Sequence, residues 1–177
     1  IIMAIAHKPE LLILDEPFTG LDPVNADLFK KVILDLKDEG TTIIFSSHRM
    51  DHVEELCDAI CMLKDGQAAY SGSLLDLKKQ YGRIRLTIAP EWTAREAGTW
   101  PGVTQAVAGK GETRLYLDSP DRARDIFTRV AGDGYTDVFK LDYLTMEEIF
   151  KLINTGSING DKADEAGAGM NGGRHNA

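Results

Sequence analysis

The stretch Leu11-Leu12-Ile13-Leu14-Asp15-Glu16-Pro17 sets the fold class of this chain. An unbroken apolar run of this length has the pattern of a short strand buried on both faces of a parallel sheet. Two carboxylates end the run, and Pro17, which has no amide hydrogen, stops further pairing. Adjacent acids at the end of a buried strand are costly to hold unless they have a task. In open α/β sheets that carboxyl-terminal edge is where ligands bind.

Working outward, Asp22 stands where a helix N-cap belongs, with Pro23 at the first helical position. Leu28, Val32 and Leu36, joined by Phe29 and Ile33, recur at helical spacing until Gly40 closes the helix. Thr41-Thr42-Ile43-Ile44-Phe45 then reads as the next buried strand. Strand, helix and strand alternate, which predicts a right-handed βαβ unit and an α/β fold class. Upstream, residues 1–7 read as the end of an apolar helix stopped at His7-Lys8-Pro9. The chain opens on Ile1 without a methionine, as if in mid-helix, so it is expected to be a piece of a longer protein.

Downstream, a short helix is predicted over 51–56. A hairpin follows, its strands at 59–63 and 67–70 joined at Asp65-Gly66. A helix over 74–81 ends at Gly82, where a boundary is expected. Beyond it come strands near 83–89, 102–108 and 113–118, a helix near 121–131, a strand near 135–141 and a helix from Thr145 to Ile153. The expected division is therefore 1–82 for the α/β part and 83–153 for a small α+β unit in two layers. Residues 154–177, rich in Gly, Asn, Asp and Ala, have little to bury and are expected to form a disordered tail.

Composition excludes several classes. At 43% hydrophobic and 27% charged, the 177 residues have ordinary globular composition. A formal charge of −8 argues against nucleic acid as a partner, since phosphates demand a basic face. Cys57 and Cys61 are the only cysteines, so there is no disulfide framework. They read as small buried hydrophobes. No apolar run approaches the roughly 20 residues that span a bilayer, so any membrane connection is expected to run through a partner.

The acidic strand end carries the chemistry. A first carboxylate, Asp15, suits a hydrated Mg²⁺, a hard cation that prefers oxygen ligands and keeps its waters. A second, Glu16, suits the positioning of a water for attack on a phosphoryl group. The next strand leads through Ser46-Ser47 to His48 at the same edge, where an imidazole can contact a terminal phosphate or a water.

Together with Thr19-Gly20-Leu21-Asp22-Pro23, these residues give the chain a resemblance to the ABC-type ATPases, running from about Ile1 to Tyr81. The resemblance implies that Leu11 to Asp15 is the Walker B strand, with Asp15 at the magnesium. It implies that Glu16 is the catalytic glutamate and His48 the switch histidine. Gly20-Leu21-Asp22 becomes the D-loop, with Asp22 facing the second subunit's nucleotide. ATP and Mg²⁺ follow as cofactors. The implied partners are a second ATPase subunit in a head-to-tail dimer and a transmembrane permease, at the cytoplasmic face of the cell membrane. The form Asp-Glu-Pro-Phe-Thr-Gly-Leu-Asp-Pro-Val-Asn, with Leu144-Thr145-Met146-Glu147-Glu148-Ile149-Phe150, is similar to the exporter branch near the sodium-extruding ATPases.

The departures are as specific as the matches. The family's phosphate-cradling G-x-x-x-x-G-K-[ST] loop is absent. Gly109-Lys110-Gly111 is no substitute, because no glycine stands five residues before Gly109-Lys110 in register and Gly111 replaces the hydroxyl. The Q-loop and the Leu-Ser-Gly-Gly-Gln signature are missing too, so the piece alone is expected to be inactive. Two rival functions stand beside the transporter reading: a non-catalytic dimerisation or regulatory module, and a soluble ABC-type ATPase of translation or DNA repair. His48, His52, Cys57 and Cys61 also resemble a four-ligand zinc set, but without a tight Cys-x₂-Cys knuckle. His7, His52 and His175 read as surface residues, and Trp92 and Trp100 as packing anchors.

Overall fold

The computed structural model describes residues 2–132 and 136–158. Of the expected tail over 154–177, residues 159–177 lie outside the described residues, as does position 135 at the start of a predicted strand. The chain runs α1 (Ile2–Ile5), β1 (Leu11–Leu14), α2 (Pro23–Asp38), β2 (Thr42–Phe45), α3 (Met50–Leu56), β3 (Ala59–Lys64), β4 (Gln67–Ser73) and α4 (Leu74–Tyr81). It continues through β5 (Arg85–Ile88), α5 (Ala94–Ala97), β6 (Val103–Ala108), β7 (Thr113–Leu117), α6 (Arg122–Val130), β8 (Phe139–Asp142) and α7 (Met146–Thr155). The α/β class expected from the sequence is the class observed.

β1 and β2 pair in parallel, Leu11 opposite Thr42 through Leu14 opposite Phe45. α2 connects them. Its Asp22 cap accepts from the Asn25 amide at 3.0 Å, and Gly40, at φ 94°, turns the chain into β2. Side chains alternate across the ladder. Leu12 is buried, and Leu14, Ile43 and Phe45 pack with Phe18, Phe29 and Ile33 beneath α2.

The other face corrects the expectation of strands buried on both sides. Ile13 is 69% exposed and Ile44 54%, because among the described residues the sheet has two strands and α2 covers one side. They line an open groove of about 760 Å³, together with Ile60, Met62 and Phe150. The cysteines are corrected likewise. The alternation of β3 buries Met62 and leaves Cys61 exposed on the groove, and Cys57 is partly buried.

β3 and β4 form the expected hairpin at Asp65-Gly66, Asp65 at φ 50° and Gly66 at 76°. After Gly82, four strands pair antiparallel in the order β6-β7-β5-β8. α5 and α6 cover one face of this sheet around Leu86, Ile88, Trp100, Leu115, Leu117 and Ile126. α5 is an element the sequence reading did not predict, and α7 extends through Asn154 and Thr155, two residues assigned to the tail.

A second core lies across the Gly82 junction. Met62 and Leu77 from the hairpin and α4 pack with Tyr116, Leu144, Met146 and Ile149. Within it, α7 opens on a capping box: the Thr145 amide donates to Glu148 Oε2 at 2.7 Å, and Thr145 Oγ1 accepts from the Glu148 amide at 3.3 Å. Glu148 is buried, and its other oxygen accepts from the Tyr116 hydroxyl at 2.6 Å. Burial, then the bond to Glu148, pushes the Tyr116 pKa well above its ordinary value, so the phenol stays a donor. Arg85 Nε lies 3.3 Å from the same oxygen but without hydrogen-bond alignment.

Tyr116→Phe should therefore cost about 2 kcal/mol, the scale of a hydrogen bond to a charged group. Urea unfolding is the measurement. The loss should appear in a single transition, because the shared core couples the hairpin to the α+β sheet. A change within about 0.5 kcal/mol, the scatter of surface substitutions, would remove this role for Tyr116.

Candidate nucleotide site

The parallel register builds the site. Asp15 follows Leu14 and Ser46 follows Phe45, so the residues leaving a paired position in β1 and β2 emerge side by side. The Ser46 amide continues the ladder by donating to the Leu14 carbonyl at 3.0 Å. Ser46 Oγ then serves both acids: it donates to Asp15 Oδ1 at 2.5 Å and accepts from the Glu16 amide at 2.9 Å.

Glu16 adopts φ 43°, a left-handed conformation uncommon for a residue with a β-carbon. That turn brings its carboxylate to the next loop. Glu16 Oε1 accepts from the His48 amide at 3.0 Å and lies 2.7 Å from His48 Nδ1. Thr19 Oγ1 donates to Glu16 Oε2 at 3.4 Å. His48 is largely exposed, its side chain 74% accessible, and Glu16 is half-buried. Asp15, Glu16 and His48 are thus gathered on one strand edge.

Asp22 is placed apart. Its carboxylate is engaged locally, accepting from the Asn25 amide at 3.0 Å and the Asn25 side-chain amide at 2.6 Å. These bonds, the backbone one foremost, hold its pKa below the ordinary carboxylate value. Among the described residues no hydrogen bond links Asp22 to Asp15, Glu16 or His48.

Two further residues belong to the arrangement, Ser46 and Thr19, which the sequence reading gave no role. The signal for Ser46 was available: in a parallel ladder starting at Leu11 and Thr42, Asp15 and Ser46 are the next positions in register.

His52 corrects the expectation of a surface residue. It is 1% exposed, its ring 4.1 Å from that of Phe18 in the segment after Glu16. Burial, with the nearby Arg49 charge, pushes its pKa down. His48 faces Glu16 while His52 turns into the core. No group of three or more His, Cys, Asp or Glu side chains is gathered for a metal among the described residues, so the zinc arrangement has no support here.

One carboxylate and a hydroxyl at a strand end do fit a different metal. Mg²⁺ is commonly held by one or two carboxylates plus waters and substrate phosphates rather than by an all-protein cage. Asp15, exposed and engaged by Ser46, offers that oxygen chemistry.

Residues 72–152 match the family described as ATP-binding protein DrrA1-3-like, C-terminal domain. The chain is similar to the C-terminal part of ABC transporter ATP-binding proteins. An uncharacterized ABC transporter ATP-binding protein of Alkalihalophilus pseudofirmus is 44% identical over 149 residues, covering 84% of this chain and 56% of that protein. YhaQ, an uncharacterized ABC transporter ATP-binding protein of Bacillus subtilis, is 40% identical over 149 residues, covering 84% of this chain and 50% of that one. The fluoroquinolones export ATP-binding protein of Mycobacterium tuberculosis is 42% identical over 85 residues, covering 48% of this chain and 28% of that protein. The chain thus spans about half the length of the first two of these relatives. No helix among the described residues is long and apolar enough to cross a membrane.

Proposed function

We propose that this chain is the C-terminal part of the ATP-hydrolysing subunit of an exporter-type ABC transporter. The observation that carries the reading is the hydrogen-bonded set Asp15–Ser46–Glu16–His48 at the carboxyl edge of a parallel strand pair. In the full-length parent, Asp15 would hold Mg²⁺ through water, and the ion, when bound, would supply positive charge to offset that of the phosphates. Glu16 orients the attacking water and takes up its proton, and His48 positions Glu16 and meets the terminal phosphate.

The partners in this proposal are a second ATPase subunit, which the loop carrying Asp22 would meet, and a transmembrane permease. The subunit is then peripheral, on the cytoplasmic face of the membrane. The export direction draws on the M. tuberculosis relative, whose name is that of a fluoroquinolones export protein. Kinship with sodium-extruding ATPases rests on the residue forms around Asp15 and Leu144. We also place the organisational boundary near Gly82, which separates the segment bearing the site from the α+β unit. Two unfolding transitions in the Tyr116→Phe experiment would make these units thermodynamically independent as well.

The test is Asp15→Asn in the full-length parent. If Asp15 holds the metal through water, the Mg²⁺ concentration for half-maximal phosphate release should rise by roughly 10-fold or more, the scale of lost outer-sphere support. An unaltered Mg²⁺ dependence would take the metal role from Asp15.

A further inference from the structure

We propose that Glu54 is a positioning residue that fastens the His48 loop to the α+β unit; the catalytic half of this statement rests on the role proposed for His48. α3 begins two residues after His48 and has only seven residues. Its N-cap, Arg49, makes no side-chain cap, so the helix has little stability of its own. Its placement depends on what packs against it.

On one side α2 reaches it, through Lys30 to Glu55 at 2.7 Å and Lys37 to the Leu56 carbonyl at 3.5 Å. On the other side stands α7. Glu54 Oε2 accepts from the Met146 amide at 3.0 Å, across 92 residues of sequence. Met146 is the first residue of α7, and its amide is not used by the Thr145–Glu148 capping box. A carboxylate there satisfies an orphan donor and meets the positive end of the helix dipole.

Glu54 is itself anchored, its other oxygen paired with Lys78 of α4. Met50, the first residue of α3, packs into the same core as Met146 and Ile149. A continuous set of contacts therefore runs from α7 through Glu54 and Met50 to the loop carrying His48, and from His48 to Glu16. A displacement of the α+β unit that broke the Glu54–Met146 bond would free α3 and loosen the His48–Glu16 contact.

The experiment is peptide-resolved hydrogen exchange on the full-length parent and its Glu54→Ala and Glu54→Gln variants, paired with phosphate release. In Glu54→Ala the segment 48–57 should exchange roughly 10-fold faster, the scale of one lost charge-assisted bond, while β1 and β2 keep their parental protection. Glu54→Gln retains an acceptor for the Met146 amide and should restore most of the protection. Faster exchange confined to the first turn of α7, with the 48–57 segment unchanged, would reduce Glu54 to a helix cap and overturn the proposal. So would faster exchange spread evenly over the whole chain. Faster exchange at 48–57 with turnover at the parental rate would uphold the fastening and overturn instead the catalytic role given to His48.

Discussion

Glu16→Gln in the full-length parent should bind ATP and Mg²⁺ as the parent does, yet release phosphate about 10²-fold more slowly or worse, as loss of a general base does. The substitution is close to isosteric. Glutamine keeps an oxygen for the His48 amide, which now donates to Glu16 Oε1 at 3.0 Å. It asks nothing new of the backbone at φ 43°. What it removes is the charge that, in the proposed role, polarises water. If hydrolysis releases a closed pair of subunits, the variant should accumulate as an ATP-bound dimer in size-exclusion chromatography, whereas Asp15→Asn should show no such trapped dimer. A Glu16→Gln protein hydrolysing ATP at the parental rate would remove the central assignment.

The 177-residue chain alone should show no ATP binding by calorimetry at micromolar nucleotide and no hydrolysis. Most phosphate contacts in a P-loop ATPase come from the backbone amides and lysine of a glycine-rich loop that this chain does not contain. Asp15, Glu16 and His48 are suited to a metal, a water and a terminal phosphate, but not to grip a triphosphate unaided. The chain should also bind a hydrophobic dye, since Ile13 and Ile44 stand exposed on the groove beside β1 and β2. Tight ATP binding by the purified chain would overturn this expectation.

Local signals in the sequence were strong wherever one residue does one job. Asp22-Pro23 opened α2, Asp65-Gly66 turned the hairpin, and Gly82 closed α4 because each satisfies a conformational demand that few residues meet. α5 escaped notice because one helical turn carries no periodicity, although Thr93 does cap it by accepting from the Glu96 amide. The order β6-β7-β5-β8 was not legible either, since β5 pairs with β7 and β8 across long separations that no local pattern encodes.

At the site, the meeting of Asp15, Glu16 and His48 followed from two parallel strands ending at one edge. Ser46 carries no local signal of its own. Its bridging role emerges only when register places it beside Asp15. His52 was misjudged for a related reason. Nothing near it in sequence shows that α3 presses it on Phe18, a residue from another loop.

The conformation of Glu16 bears on any attempt to engineer this chain for robustness. A left-handed backbone is occupied at least cost by glycine or asparagine, and a residue with a longer side chain there forgoes on the order of 1 kcal/mol or more. A stability screen, blind to turnover, would accordingly favour Gly or Asn at position 16, and each of these gains would discard the carboxylate that His48 holds. If Glu16 has the proposed role, thermal tolerance and catalytic competence are in direct competition at this one residue.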